Sequence, residues 1–511
     1  MSSGTGEFGK WRSFFWPIHA FELKKLLPMF FMFFFISFNY TILRDTKDSL
    51  VVPSSGAETI VFLKFWGVVP AAIIFMIIYA KLSNILSKEN LFYTTITPFL
   101  IFFGLFALFI YPNREVLHPH GTADYLQQIL PAGFHGLVAC FRNWTYSIFY
   151  ILAELWGSVV LSLMFWGFAN DITHVKEARR FYSLFGLGAN LALLVSGPAI
   201  YYFSKIRDTL PDGVDAWGVS LNYLMSMVVL AGIMVIAIYW WMQRNVLTDA
   251  RFYNQNEEKK LKKEKPKMSL GESFAYLAKS KYILCLAILV ISYGIAINLV
   301  EITWKNQLRL QYPQPNDYSA FMGLFSTITG AVTIFMMLFV GSNLIRWKGW
   351  GFAAMVTPVV LLITGFGFFS FVLFRDSLGG FISMLGSTPL MLAVIFGAAQ
   401  NIISKSAKYS LFDPTKEMAY IPLDQEQKVK GKAAIDVVGA RLGKSGGSLI
   451  QQGLILTFGT ITAITPYVAA ILAVIIVAWI VAVKLLNKQF VSLTAEKAKE
   501  SEAAQTVKTA G

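Results

Sequence analysis

The sequence predicts an all-α polytopic membrane protein with about twelve transmembrane helices in two six-helix halves, of the major-facilitator type. Three observations carry this prediction. The 511 residues are 55% hydrophobic and only 14% charged, with a mean hydropathy of +0.55, whereas about a quarter of the residues of a soluble protein are charged. Apolar runs long enough to cross a bilayer recur from end to end. A charged segment divides these runs into two sets of six.

The first set of runs forms an N-terminal six-helix bundle, residues 26–242, after a cytoplasmic segment of residues 1–25. No small-residue cleavage site follows the first run, so we interpret it as a retained signal-anchor. The fourth run is long enough to tilt or to carry an interfacial extension. We place the spans of this half near 26–43, 60–80, 91–111, 137–168, 181–203 and 219–242.

Residues 243–281 form a basic cytoplasmic linker, because the run Lys259–Lys267 is too charged to bury a core. The C-terminal bundle covers residues 282–487, and a cytoplasmic tail covers 488–511. Six-helix halves joined in this way are typical of transporters whose substrate site lies between the halves. A polytopic protein that does not transport is the alternative. The spans of this half lie near 282–302, 317–340, 351–374, 385–404, 434–458 and 464–487.

The net charge of +14 indicates membrane topology and not a nucleic-acid partner. Cations concentrate in alternate loops, among them Lys88, Arg346 and the group from Lys405 to Lys432. By the positive-inside rule these loops are cytoplasmic, and so are both termini. Cys140 and Cys285 lie in apolar segments without paired spacing, so we expect packed thiols, with no metal site and no cofactor.

One polar stripe inside an apolar segment is the strongest sign of a functional site. Arg441, Lys444, Ser448 and Gln451 are spaced by three, four and three residues, which places them on one face of a helix. A lone charge at a bilayer centre costs about 2.5–3.5 kcal/mol. Two cations on one face therefore predict a water-filled cavity that holds an anion.

Other spans carry polar stripes of the same rhythm and, in this architecture, line the same cavity. They contribute Arg44 and Lys47 from the first span, Asn143 and Glu154 from the fourth, Asn298 and Glu301 from the seventh, and Gln400 or Asn401 from the tenth. The charges placed at membrane depth are Lys47, Lys64, Arg142, Arg441 and Lys444 against Glu154, Glu301 and Asp436. This excess of cations matches a phosphate-bearing ligand.

Less specific interpretations exist for several of these charges. Arg44, Lys47, Lys64 and Lys305 could lie at helix ends and extend to lipid headgroups. Glu154 and Glu301 could neutralise a nearby lysine and hold helices together.

The segment Gly439–Ser445 resembles a phosphate-binding P-loop, but it is one residue short and no strand precedes it. We therefore interpret its glycines as positions where a helix or the ligand approaches closely. The five histidines show no metal-ligand spacing within a span, and no catalytic constellation stands out.

Five longer motifs are Tyr40–Asp48, Ala153–Gly157, Glu301–Lys305, Asp413–Asp424 and Gly443–Gly447. In order and over nearly the whole chain they resemble the nucleotide transporter family of ATP/ADP translocases from obligate intracellular bacteria and plastids. The rest of the chain resembles the chlamydial members of that family.

The resemblance implies an antiporter of a bacterial inner membrane that imports host ATP in exchange for ADP, and phosphate in addition, by alternating access. Functionally important positions of the family match Lys47, Glu154, Glu301 and Lys444. We expect Lys47, Arg441, Lys444 and Asn401 to bind the nucleotide, and Glu154 and Glu301 to form gating charge pairs. A second tier lines the cavity: Arg44, Lys64, Arg142, Asn143, Asn298, Gln400 and Ser448.

The expected partners are ATP, ADP and the lipid bilayer, with the protein acting as a monomer. Two alternatives stay open. A proton-coupled nucleotide symporter would use Glu154 or Glu301 as the titrating group. A membrane-embedded phosphotransferase would show product turnover by the purified protein.

Overall fold

The computed structural model describes residues 19–173, 175–249, 280–384, 386–423, 431–432, 435 and 439–510. Within these ranges every regular element is helical, and eleven helices are long and apolar enough to cross a bilayer. A further helix, Ala440–Phe458, occupies the position of the eleventh predicted span. In chain order the twelve helices are α1 Leu23–Ser55, α2 Glu58–Ile85, α3 Lys88–Ile110, α4 Trp144–Ile172, α5 Val175–Lys205, α6 Ala216–Asn245, α7 Lys281–Gln311, α8 Pro315–Gly341, α9 Asn343–Leu373, α10 Pro389–Ala419, α11 Ala440–Phe458 and α12 Ile461–Glu496.

The predicted ends of several spans were wrong. Helix α1 continues to Ser55 instead of ending near residue 43, and α10 continues to Ala419 instead of ending near 404. Charged side chains lower the hydropathy of the last part of α1 and of α10, which is why the predicted spans ended early. Both helices continue because neighbouring helices contact these charged side chains. The last helix extends from Ile461 to Ala510, through the predicted tail. Most of the predicted linker lies outside the described residues.

The segment predicted as a single fourth span consists of two helices. The first is His135–Arg142 and the second is α4, with Asn143 between them at φ −104° and ψ 48°. Residues 111–143 therefore form a hairpin of short helices that lies outside the spans. Two of these short helices are Arg114–Leu117 and His120–Ile129.

Each half is organised around one central helix. In the N-terminal half, α1 packs against α4, α5 and α6, and in the C-terminal half α7 packs against α10, α11 and α12. Buried tryptophans fix these contacts in both halves. Trp156 of α4 donates a hydrogen bond to Ile36 O of α1 at 3.2 Å, and Trp304 of α7 donates to Val394 O of α10 at 3.0 Å. Indole rings bury a large apolar area, and their N–H groups are satisfied here.

One seam between the halves is the crossing of α5 and α8. A Cβ atom on Gly197 would lie 2.7 Å from Gly323 O, and one on Gly323 would lie 2.7 Å from Gly197 O. The backbones therefore touch, as at small-residue crossings of membrane helices. Arg207 and Asp317 form an ion pair of 3.0 Å across the end of this seam.

The second seam joins α2 to α11. Residues 58–68 of α2 contact α11, and the turn Ala132–Phe134 packs on the end of α11. A Cβ atom on Gly133 of that turn would lie 2.7 Å from Ile455 O. By contrast, the remainder of α2, Val69–Ile85, contains no buried residue.

We name the two ends of the helix bundle after the two ends of α1. The Leu23 end is where α1 begins, and the Gly56 end is where it finishes. Both seams are closed at the Gly56 end. At the Leu23 end, α2 is separated from the C-terminal half over the described residues, and the ion pairs Lys25–Glu177 and Lys88–Asp171 each join helices of the same half.

Candidate functional site

Six charged side chains from four helices meet between the halves, on the Gly56 side of the middle of the bundle. We call this group the charge network: Lys47 and Asp48 of α1, Lys64 of α2, Glu154 of α4, and Glu301 and Lys305 of α7. Four of the six were predicted as site residues. Asp48 was not selected, and Lys305 had been named as the last residue of the motif Glu301–Lys305 and given a headgroup alternative.

Asp48 joins the two halves. Its Oδ1 lies 3.0 Å from Lys47 Nζ, and its Oδ2 lies 2.8 Å from Lys305 Nζ. All three side chains are at most 3% exposed, so a headgroup role for Lys47 and Lys305 is wrong. Buried charges are tolerated only with good geometry and several partners, which the two carboxylate oxygens provide here.

Glu154 gives Lys47 a second carboxylate. Its Oε1 lies 3.1 Å from Lys47 Nζ, and the ring of Tyr150 lies beneath the same ammonium group at 3.9 Å. Tyr150 and Glu154 are four residues apart, so they share one face of α4. Glu154 is 31% exposed, in contrast to Asp48, and is therefore the accessible side of this cluster.

Glu301 connects α7 to α2. Its Oε1 lies 3.0 Å from Lys305 Nζ, one helical turn away, and its Oε2 lies 3.4 Å from Lys64 Nζ. Lys64 also donates to Asn298 Oδ1 at 2.9 Å. It lies in a π-helical stretch of α2, Leu63–Val68, a local widening that is frequent at functional sites. Glu301 and Lys64 are each 21% exposed.

Arg44 and Asp45 form a second cross-half cluster next to the network. Arg44 Nε lies 3.0 Å from Asp45 Oδ1, and its Nη2 donates to Ser326 Oγ of α8 at 2.7 Å. Ser326 Oγ in turn donates to Asp45 Oδ2 at 2.5 Å. The predicted cavity residue Arg44 therefore lies at the seam and is partly exposed.

Lys405 was placed in a cytoplasmic loop by the sequence, and that was wrong. It lies within the membrane-spanning part of α10, and its ammonium group is 5.0 Å from the centre of the Phe325 ring of α8. The hydropathy of the span decreases at this lysine, which is why the predicted helix ended one residue earlier.

Three predicted cavity residues lie away from the network. Arg142 pairs with Asp124 at 2.6 Å in the hairpin outside the spans, so its placement at membrane depth was wrong. Asn143 donates to Ser55 Oγ at 2.7 Å at the Gly56 end. The amide of Gln400 is buried within the C-terminal half, where its Nε2 would lie 3.3 Å from a Cβ atom on Gly365 of α9.

The remaining predicted residues are buried or lie partly outside the described atoms. Asn401 is buried and donates to Gly397 O of its own helix at 2.9 Å. Ser448 is buried, and Gln451 donates to Leu299 O of α7 at 3.1 Å. The backbones of Arg441 and Lys444 belong to α11, but their side chains, like the whole of Asp436, lie outside the described residues.

The P-loop-like segment is helical from Ala440 onward. A Cβ atom on Gly443 would lie 3.1 Å from Gly294 Cα of α7, which confirms that this glycine permits close helix packing. Over the described part of the chain, no group of three or more His, Cys, Asp or Glu residues is arranged to hold a metal ion.

Three charged residues of this region were not selected from the sequence or were misplaced: Asp45, Asp48 and Lys405. The motif Tyr40–Asp48 contains two cation–carboxylate neighbours, Arg44 with Asp45 and Lys47 with Asp48, one helical turn apart. That repeated pairing inside an otherwise apolar segment was a usable signal for buried ion pairs.

In chemical terms the site is a set of lysines that are already neutralised by carboxylates. Oxygen atoms of an anionic ligand could replace a carboxylate at an accessible lysine, because phosphate and carboxylate oxygens accept the same charge-assisted hydrogen bonds. The partly exposed members, Glu154, Glu301 and Lys64, are the ones that a ligand could reach.

Comparison with known proteins gives consistent matches over nearly the whole chain. The model of the family described as TLC ATP/ADP transporter matches residues 1–490. The chain is 64% identical to ADP,ATP carrier protein 1 of Chlamydia muridarum, over 98% of this chain and 94% of that protein. It is 55% identical to the chloroplastic ADP,ATP carrier protein 1 of Arabidopsis thaliana, over 95% and 77%. It is 45% identical to ADP,ATP carrier protein 1 of Rickettsia bellii, over 94% and 96%.

Solved structures show the same fold. A bacterial homologue of the iron transporter ferroportin, in an inward-facing state, matches with a TM-score of 0.54 at 13% identity, over 93% of this chain and 99% of that one. A D-xylose-proton symporter matches with a TM-score of 0.51 at 10% identity, over 91% and 97%. The predicted all-helical, major-facilitator-like architecture is confirmed.

Proposed function

Because the chain belongs to the TLC ATP/ADP transporter family, we propose that it exchanges ATP for ADP by alternating access around the charge network. The protein is a transporter and not an enzyme, which removes the phosphotransferase alternative. The direction of exchange, the residues that hold the nucleotide and the accompanying movement of phosphate are part of the proposal.

The observation that carries the proposal is the ion pair between Asp48 and Lys305. It joins the N-terminal and C-terminal halves at 2.8 Å and is almost completely buried. Opening of the Gly56 end has to separate these two residues. Each charge then loses a partner in a region of low dielectric, which is costly, so we infer that an anion has to compensate Lys305 and the other lysines during the movement.

A nucleotide supplies that anion. Its phosphate oxygens form charge-assisted hydrogen bonds with lysine and arginine. We propose that Lys47, Lys444 and Arg441 hold the phosphate chain, while Glu154 and Glu301 return to the lysines when the site is empty. Exchange becomes obligatory because the empty site changes its orientation slowly and any bound nucleotide accelerates that step. No hydrolysis is needed, since the ATP and ADP gradients drive the flux.

We place the Leu23 end in the cytoplasm, in a bacterial inner membrane, from the distribution of loop cations. In that orientation the closed Gly56 end faces the outside, and the segment Val69–Ile85 of α2, which contains no buried residue, lies toward the cytoplasm. The charge network belongs to one chain, which supports a functional monomer.

The proposal is tested in liposomes that contain the purified protein. Uptake of labelled ATP should require ADP inside, and labelled phosphate placed inside with ADP should leave with it. Lys444→Ala should abolish uptake, whereas Lys484→Ala, at an exposed position of α12, should leave uptake unchanged. Wild-type uptake by the Lys444 variant would show that the phosphate role is wrong.

A proton-coupled nucleotide symporter is the second candidate, and the partial exposure of Glu154 and Glu301 favours it. In that case uptake would need no internal nucleotide and would stop when an uncoupler removes the proton gradient. Exchange that is insensitive to an uncoupler would exclude this candidate.

A further inference from the structure

We propose that Lys405 binds the phosphate chain of the nucleotide from the C-terminal half, together with Arg44 of the N-terminal half, and so determines the preference for triphosphates and diphosphates over monophosphates. This inference rests on the proposed nucleotide exchange. It adds to the site a cation that none of the sequence motifs had singled out.

Lys405 lies near the middle of α10, close to charged side chains of both halves. Its ammonium group lies over the ring of Phe325 at 5.0 Å. The next residue, Ser326, accepts a hydrogen bond from Arg44 Nη2 at 2.7 Å. Lys405 and Arg44 therefore approach the same turn of α8 from opposite halves of the protein. The charges of Arg44, Asp45, Glu301 and Lys305 all act on the ammonium group of Lys405.

Lys405 differs from the other lysines of the site in its partners. Lys47, Lys64 and Lys305 each lie within 3.4 Å of a carboxylate oxygen. Among the described residues, no carboxylate forms an ion pair with Lys405, and its described contact is the aromatic face of Phe325. A half-buried ammonium group beside a guanidinium group is stabilised by an anion between them.

The available hydrogen-bond donors fit a phosphate. Lysine has three N–H donors, and arginine has five in a planar fork. Arg44 uses its Nε toward Asp45 and its Nη2 toward Ser326, so further N–H groups stay available. Because one cation lies on each half, a phosphate chain of two or three groups can contact both, whereas a single phosphate reaches fewer donors. This difference provides the discrimination by phosphate number.

The experiment compares Lys405→Ala and Lys405→Arg with the matched control Lys408→Ala. Lys408 lies on the same helix, one turn further, and is paired with Asp413 at 3.2 Å. For each purified variant we would measure binding of ATP, ADP and AMP by the ligand-dependent rise in Tm, and the concentration of each that halves uptake of labelled ATP.

We expect Lys405→Ala to weaken ATP binding about tenfold or more, which is the loss of a charge-assisted hydrogen bond, and to weaken AMP binding much less. Lys405→Arg should retain most of the preference for ATP, and Lys408→Ala should match the wild type. An unchanged ratio of ATP to AMP affinity in Lys405→Ala would overturn the inference, as would an equal loss in Lys408→Ala.

Two readouts separate this inference from the proposed function. A wild-type protein that binds ATP in preference to AMP but shows no exchange would contradict the exchange and not the role of Lys405. If Lys405→Ala does not fold, Lys405→Gln, which keeps the length and a polar end, replaces it under the same expectations.

Discussion

Replacement of Asp48 by asparagine removes the charge that connects Lys47 to Lys305 across the two halves. In the described conformation Asp48 accepts both ammonium groups, at 3.0 and 2.8 Å. In the proposed alternating-access cycle, opening of the Gly56 end breaks the contact with Lys305. The substitution should therefore destabilise the conformation closed at the Gly56 end more than the open one.

The size of the free-energy cost depends on the partners that Lys305 and Lys47 keep in the variant. Removal of one member of a buried ion pair costs about 3–5 kcal/mol when the other charge is left alone. Here Lys305 keeps Glu301 at 3.0 Å and Lys47 keeps Glu154 at 3.1 Å, and the asparagine oxygen still accepts a hydrogen bond. We therefore expect a smaller loss of about 1–3 kcal/mol, which shifts the equilibrium between the conformations by about 5- to 150-fold.

The shift can be measured as a distance between spin labels. Asp212 and Gln314 are exposed and lie at the Gly56 end of opposite halves, so cysteines at these positions, in a chain without Cys140 and Cys285, report the opening of that end. By double electron–electron resonance without nucleotide, Asp48→Asn should increase the population with a long distance. Asp171→Asn is the matched control, because Asp171 pairs with Lys88 at 3.0 Å within the N-terminal half.

Two results would refute this reasoning. The distance distribution of Asp48→Asn could equal that of the wild type, which would show that the pair does not hold the Gly56 end closed. Alternatively, the Asp171 control could shift the distribution to the same extent, which would show a general effect of lost charge.

Three further predictions concern packing and pH. Gly197→Ala places a Cβ atom 2.7 Å from a backbone oxygen of α8 and should lower Tm by several degrees. The control Gly167→Ala, which has nothing within 4 Å of the added Cβ atom, should leave Tm unchanged. Equal Tm values for the two variants would contradict the close crossing of α5 and α8. Gly157→Ala presses on the ring of Tyr40, at 2.6 Å, and should cost about 1–3 kcal/mol of stability and reduce ATP uptake more than Gly167→Ala does. Burial, with a smaller contribution from the imidazole of His120, lowers the pKa of His118 below its ordinary value of 6.5. The unfolded chain therefore binds the proton more readily than the folded protein does. As a result, the free energy of unfolding decreases as the pH falls below 6.5. His118→Gln should flatten the fall of Tm between pH 7 and pH 5, and an unchanged slope would exclude this histidine as the cause.

Much of the site was predictable because buried charge in a membrane is rare. Lys47, Glu154 and Glu301 were selected as polar residues at helical spacing within apolar spans, and the structure brings all three into the charge network. Lys64 and Asn298 were both predicted to line the cavity, and the structure brings them together at 2.9 Å. The high cost of an unpaired charge in lipid makes such residues informative even in a single sequence.

Two of the errors share one physical cause. The predicted ends of α1 and α10 followed the local decrease in hydropathy at Arg44 and at Lys405, but both helices continue. Arg44 donates hydrogen bonds to Ser326 and Asp45, and the ring of Phe325 lies against Lys405. Ser326 and Phe325 are far away in the sequence from the cations that they contact. A hydropathy average over a short window of residues does not include such partners. In the opposite direction, Arg142 looked like a cavity residue because the fourth apolar run conceals the helix break at Asn143.

The sequence by itself predicted a helical membrane transporter of two six-helix halves, with a cationic site for a phosphate-bearing ligand between them. Crossing a bilayer requires about 20 apolar residues per helix, and each charge inside such a helix is costly enough to mark function. The tertiary structure alone decided that Asp48 pairs with Lys305, that the Gly56 end is closed, and that Lys405 lies against the ring of Phe325 with no carboxylate ion pair among the described residues. Those facts depend on which helix faces meet and at what depth. Helix spacing within one chain segment contains no information about the rotation and vertical position of the segment that packs against it.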